Sequence, residues 1–171
     1  MRSIKSIEKE LNWVRNTRTN IAMLLKDVAD VNVLIGGSYA LKYQCDCFEN
    51  REVTDYDFII RVYKNDADKV YNFFQTLSNM GIAKHGYSGN DAYKFRNVLL
   101  DGKYAECIIV PVDDTCSVHS VRTFGRVWEK PANIIKAKEG YIEESHLKGL
   151  EPRQKDVDDV ENYYQHEDLP F

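Results

Sequence analysis

The chain has 171 residues, 43% of them hydrophobic and 29% charged, and a formal net charge of −4. A chain of this size and composition folds without staples, burying about two thirds of the surface its unfolded form exposes, and is neither disordered nor fibrous. The negative balance argues against generic duplex DNA binding by counterion release, and no segment has signal-peptide character or bilayer-spanning length, so a cytoplasmic protein with no membrane partner is expected.

From Ser3 to about Ala29, Ile4, Ile7, Leu11, Val14, Ile21, Leu24, Leu25 and Val28 recur at three- and four-residue steps, the period of one or two amphipathic helices. Val31 to Ile35 is β-rich and runs into Gly36-Gly37-Ser38, after which Tyr39 to Tyr43 has the character of helix. Cys45 to Glu52 is polar and without period, which predicts a loop. Val53 to Tyr63, VTDYDFIIRVY, is β-branched and aromatic and predicts a strand.

Asn65 and Asp66 are placed to cap a helix over Ala67 to Met80, with Val70, Phe73, Phe74 and Leu77 on one stripe and Gly81 as its stop. A Gly-, Ser- and Asn-containing connection leads to YKFRNVLLDGKYAECIIVPVDD, two strand-like runs joined through Asp101-Gly102, a hairpin signal. Pro131 opens a helix reading ANIIKAKEGYIEE, and Gln154 to Gln165 is helical again. This order predicts an α+β chain, a mixed α/β core over residues 1–130 that includes the N-terminal helices, with a C-terminal helical extension over 131–171 packed on it.

The cysteines Cys45, Cys47, Cys107 and Cys116 lack the paired spacing of a zinc site and are expected as free thiols. His85, His119, His146 and His166 lie in separate segments and are given no metal role. Trp13, Trp128 and the tyrosines are expected in the core or its rim more than in stacking on a base.

Asp55 and Asp57 carry the sharpest chemical signal. Two apart on a strand, they project to one face with Cα atoms roughly 6.5 to 7 Å apart, and paired carboxylates there suit a cation; the alternative is the solvent face of an edge strand. Glu106, ahead of the apolar run CIIV, is a third acid that faces them or else a solvated strand end. Gly-Gly-Ser is a tight turn or a bare backbone onto which a phosphate can settle, with Ser38 able to donate its hydroxyl and to cap the helix.

Taken in order, Ile35-Gly36-Gly37-Ser38, Asp55-Tyr56-Asp57 and Glu106 resemble the signature of the nucleotidyltransferase superfamily with the DNA polymerase beta-like fold. PANIIKAKEGYIEE followed by RQKDVDDVENYY is similar to the C-terminal pattern of abortive-infection toxin-type and related small nucleotidyltransferases, with Lys138 as the helix lysine and Arg153, Lys155, Asp156 and Asp159 in the second motif. Arg51 resembles the basic residue these proteins carry ahead of Asp-x-Asp. The third acid here is Glu, one methylene longer than the commoner Asp.

The resemblance implies a nucleotidyltransferase-like mixed sheet flanked by helices. It implies that Asp55, Asp57 and Glu106 are the catalytic acids and hold two Mg²⁺ ions, with Mn²⁺ as a substitute. Gly36, Gly37, Ser38, Lys138 and Lys155 would bind an NTP such as ATP, from which a nucleoside monophosphate passes to a hydroxyl of an RNA such as tRNA, a protein or a small molecule. A toxin–antitoxin or phage-defence setting, with an antitoxin partner, follows from the same likeness. On residue grounds alone, Lys138 is equally an exposed helix residue, Lys155 a solvated charge or an i,i+4 partner of Asp159, and Asp156 a group that orients a neighbouring basic residue or the helix start. The competing reading is a catalytically inactive member of the fold that binds a nucleotide or a partner.

Overall fold

In the computed structural model, residues 3–53, 55–87, 93–100, 103–113, 120–123 and 126–167 are described. Ser3 opens the first helix by accepting the Ser6 N–H on its hydroxyl at 3.1 Å. A single helix, α1 (Ile4–Leu24), then covers the span that periodicity left as one or two, burying Val14, Thr17 and Ile21. Strand β1 (Val31–Gly36) follows, and helix α2 (Gly37–Gln44) starts two residues earlier than expected, directly on Gly37.

Strand β2 is Asp57–Tyr63, shorter than the predicted Val53 to Tyr63. The reason is its partner: β1 pairs antiparallel with β2 up to Gly36 opposite Asp57, and there β1 turns into α2, leaving residues ahead of Asp57 without a ladder on that side. Asp55 therefore sits before the strand and not on it. Helix α3 (Ala67–Asn79) ends as expected at Gly81, whose φ is +78°, but Asp66 makes no side-chain cap; it lies in a tight 3-10 turn and pairs with Lys69 at 3.2 Å.

Strands β3 (Lys84–Tyr87), β4 (Tyr93–Leu100) and β5 (Lys103–Val112) come next, then β6 (Ser120–Thr123) and β7 (Arg126–Glu129). The hairpin between β4 and β5 forms, with Leu100 opposite Lys103, while the Asp101-Gly102 turn itself lies outside the described residues. β3, β6 and β7 were not expected; at four residues each they are too short to show a period. Helices α4 (Pro131–Leu147) and α5 (Gln154–Glu167) complete the chain.

The seven strands form one mixed sheet in the order β3-β4-β5-β2-β1-β7-β6. β2 runs parallel to β5 and antiparallel to β1, and β1 runs parallel to β7. Alternation along the strands sends Val33, Ile35, Phe58, Ile60, Cys107 and Ile109 to one face, where they form the main core with Val14, Ile21, Tyr39, Val70 and Phe74 from α1, α2 and α3. Ile134 and Ile135 of α4 join that core, and Val160 and Tyr163 of α5 pack against it. The other face carries a smaller cluster of Leu34, Ile59, Ile108 and Val127. Asp57 and Glu106 share strand parity with Ile59 and Ile108, so they stand on this second face.

Trp13, Tyr39, Tyr43, Tyr56 and Trp128 pack into one aromatic cluster, mostly edge-on or tilted with Tyr43 and Trp128 stacked, ring centroids in contact being 4.8 to 6.2 Å apart. Burial and the neighbouring Tyr43 push the Tyr39 hydroxyl far above its usual range, so it stays neutral. Cys45, Cys47 and Cys107 are free thiols; Cys116 and His119 lie outside the described residues. Among the described residues no helix is long and apolar enough to cross a membrane.

Candidate active site

The parallel pairing of β2 with β5 puts Asp57 directly beside Glu106. Adjacent residues in register project to the same side of a sheet, and the two carboxyl groups share a side-chain hydrogen bond. Burial pushes the Asp57 carboxyl up to about 7, Lys94 opposes that, and the charges of Glu106 and Asp55 add to it. For Glu106 burial also acts upward, but the Asp57 hydrogen bond and the Lys94 ammonium outweigh it and hold the group below the usual carboxylate range.

Gly37 explains how so much fits at the end of β1. Its φ is +66°, a left-handed conformation open to glycine, and a Cβ there would overlap Asp57 Oδ2 and lie 3.0 Å from Asp57 Cγ. Gly36 is equally crowded, since its Cβ would stand 2.6 Å from Ile59 Cγ1 and 3.0 Å from Glu129 Oε2. These two glycines let the turn close down on the carboxylate and on β2.

Ser38 does not cap α2, whose N-terminus has no side-chain cap; its hydroxyl oxygen instead accepts from Arg51 Nη2 at 3.2 Å. Arg51 donates to Asp159 through Nε at 2.9 Å and Nη2 at 3.1 Å, a two-pronged pair. Lys138 of α4 lies 3.1 Å from Asp159 Oδ2 and 3.3 Å from Asp156 Oδ1. Asp156 and Asp159 are 5% and 3% exposed, so two buried acids on α5 hold two cations against the turn that carries Ser38. Asp159, offered Lys155 by helix spacing, is engaged by these instead, and Asp156 orients Lys138 as anticipated.

All of this opens on one cavity of about 380 Å³. Asp55, Asp57 and Glu106 line it with Ser38, Arg51 and Lys138, and Lys155 borders it from the first turn of α5. Gly36 and Gly37 stand behind Ser38, away from the lining. Two further lining residues, Lys94 and Arg96 of β4, were not singled out by the sequence reading, although K-x-R on a strand is itself a sign of two bases on one face.

The donor set suits a hard divalent cation. The oxygens are carboxylates, Asp57 Oδ1 is buried with no hydrogen-bond partner, and Asp55 adds negative charge beside it. Among the described residues no group of three or more His, Cys, Asp or Glu is gathered so that it could hold a metal ion, so Asp55, Asp57 and Glu106 border one cavity without forming a three-acid metal site. Mg²⁺ does not need one: it is commonly held by one or two carboxylates, with water and substrate phosphates completing its shell.

No family model and no curated protein matches the chain. Solved structures similar to it include two described by their function. One is the Megavirus polyadenylate synthase, with 11% identity and a TM-score of 0.39, covering 79% of this chain and 25% of that one. The other is an antigenic nucleotidyltransferase-like protein from Paracoccidioides brasiliensis, with 15% identity and a TM-score of 0.43, covering 87% of this chain and 74% of that one. This chain thus spans about a quarter of the viral protein's length. At these TM-scores neither likeness decides a substrate or an activity.

Proposed function

We propose that the chain is a Mg²⁺-dependent nucleotidyltransferase that moves a nucleoside monophosphate from an NTP to a hydroxyl of an RNA such as tRNA, a protein or a small molecule. The observation that carries this reading is the convergence of Asp55, Asp57 and Glu106 with Ser38, Arg51 and Lys138 on a single cavity. Acids that gather cationic charge and a cationic wall that attracts phosphate are the two halves of a phosphoryl-transfer site.

Asp55 and Asp57 are the residues that would hold the cation. Bound there, Mg²⁺ supplies acidity to the attacking hydroxyl and offsets negative charge gathering around the α-phosphate. The Ser38 hydroxyl and the Lys138 ammonium hold the β- and γ-phosphates, with Lys155 at the mouth. Because Arg51 and Lys138 are balanced by Asp156 and Asp159, this group acts as a rigid positioner, and the surplus attraction for phosphate comes from Lys155 and Arg153. In-line attack forms a bond from the acceptor oxygen to the α-phosphorus and breaks the α–β bridge, releasing pyrophosphate.

The C-terminal pattern of Lys138 with Arg153, Lys155 and Asp156 supports a toxin-type or phage-defence protein acting in the cytoplasm, with an antitoxin as partner. The test is incubation with Mg²⁺, each labelled NTP in turn, and pools of cellular RNA and protein, beside Asp55→Ala/Asp57→Ala. Label transferred by the intact protein alone supports the reading and identifies the acceptor class. Absence of label with every acceptor, alongside retained nucleotide binding, turns the conclusion to a binding module.

A further inference from the structure

Lys94 is paired with Glu106, the acid expected to help hold a second metal ion. Its Nζ lies 2.9 Å from Glu106 Oε2, and the two side chains are only 21% and 17% exposed. Glu106 also shares a side-chain hydrogen bond with Asp57, so Lys94 and Asp57 together engage it.

The arrangement is built into the sheet. Phe95 pairs with Cys107 and Val98 with Ala105, so Arg96 and Asn97 together face the single residue Glu106 across a bulge. Asn97 has φ +53°, the one non-glycine residue in the left-handed region among those described. Phe95 is fully buried in the core, which turns its neighbours Lys94 and Arg96 to the opposite face, and both border the cavity. The bulge sets Arg96 opposite Glu106, while Lys94, in regular register opposite Ile108, reaches the same acid from two residues along β5.

A second divalent ion held by Glu106 would have to displace Lys94 and leave its ammonium unpaired in a partly buried position. Resting on the nucleotidyltransferase reading above, we infer that Lys94 takes the place of one of the two expected metal ions, so that the chain binds one divalent cation with its NTP, held by Asp55 and Asp57, while Glu106 serves as the anchor of Lys94.

The test counts Mn²⁺ bound to the full chain by electron paramagnetic resonance. Mn²⁺ is titrated in the presence of saturating α,β-methylene analogues of the four NTPs, and binding to nucleotide alone is subtracted. One Mn²⁺ per chain is expected for the intact protein and for Lys94→Arg, and two for Lys94→Met, where Glu106 is released. Two in the intact protein, or one in a folded Lys94→Met, overturns the inference; if Lys94→Met does not fold, the intact protein's count decides. Two ions together with label transfer sinks this inference and leaves the nucleotidyltransferase reading standing, whereas no bound Mn²⁺ and no transfer removes both.

Discussion

Arg51 and Asp159, 108 positions apart in the chain, form a two-pronged ion pair at 2.9 and 3.1 Å that fastens the last helix to the loop ahead of β2. Asp159 also receives Lys138, so a single buried carboxylate balances two cations. Removing one partner of a buried pair leaves uncompensated charge, which destabilises by about 3 kcal/mol or more. Asp159→Asn is therefore expected to lower the free energy of unfolding by about 3 kcal/mol. Urea denaturation followed by circular dichroism measures it, and a change below about 1 kcal/mol would show that α5 is held by its apolar contacts instead.

Gly37 and Gly81 separate two effects of a positive φ. Both are left-handed, but a Cβ at Gly81 meets nothing within 4 Å, whereas one at Gly37 overlaps the Asp57 carboxylate. Gly81→Ala is expected to lose only the conformational term of about 1 to 2 kcal/mol. Gly37→Ala should lose more than that and abolish transfer, because Asp57 must move. Equal unfolding midpoints for the two variants would contradict the contact.

Burial pushes the Glu129 carboxyl up to about 7 from its ordinary value of 4.5, with the Asp57 charge adding to the rise and Arg61 opposing it. Between those values the folded chain holds a proton that the unfolded chain has released. Stability from this group is thus fully present below about pH 4.5 and falls as pH rises toward 7, by at most about 1.4 kcal/mol per pH unit. Glu129→Gln should flatten that part of a plot of unfolding free energy against pH. An unchanged slope would mean the carboxyl is ionised in the folded chain.

Ser38 and Asp57 are expected to differ in what they contribute to transfer. Loss of one neutral hydroxyl in Ser38→Ala removes about 1 kcal/mol of phosphate binding, roughly a fivefold fall in kcat/KM. Asp57→Asn keeps the shape but removes an anion, and a fall of at least about a hundredfold in kcat is expected. Steady-state release of pyrophosphate from the NTP measures both, and equal losses would place Asp57 in binding and not in the chemical step.

Much of this was legible in linear order. Apolar periods marked α1 and α3, β-branched runs marked β1 and β5, and the succession of Gly-Gly-Ser, Asp-x-Asp and a later acid pointed to Ser38, Asp55, Asp57 and Glu106, which border the cavity. Lys138 was readable as a basic helix residue and Asp156 as an acid that orients a neighbouring basic residue or the helix start, but that the two pair is a fact of the fold. These readings are statements about residue type and near neighbours, and the backbone enforces them locally.

Other features depend on how distant segments slide past one another. Where β2 begins is set by where β1 turns away at Gly36, so Asp55 left the strand that its own neighbours favoured. Glu106 meets Asp57 because one parallel register was chosen, and Lys94 meets Glu106 because the antiparallel register of β4 on β5 sets Lys94 opposite Ile108, two residues from Glu106. Composition around Lys94 is that of any half-exposed strand, and nothing near Arg51 names Asp159. The chain order thus chose the chemical groups and the elements that carry them, while strand register and helix docking, which minimise buried charge and fill the core, decided which of those groups touch.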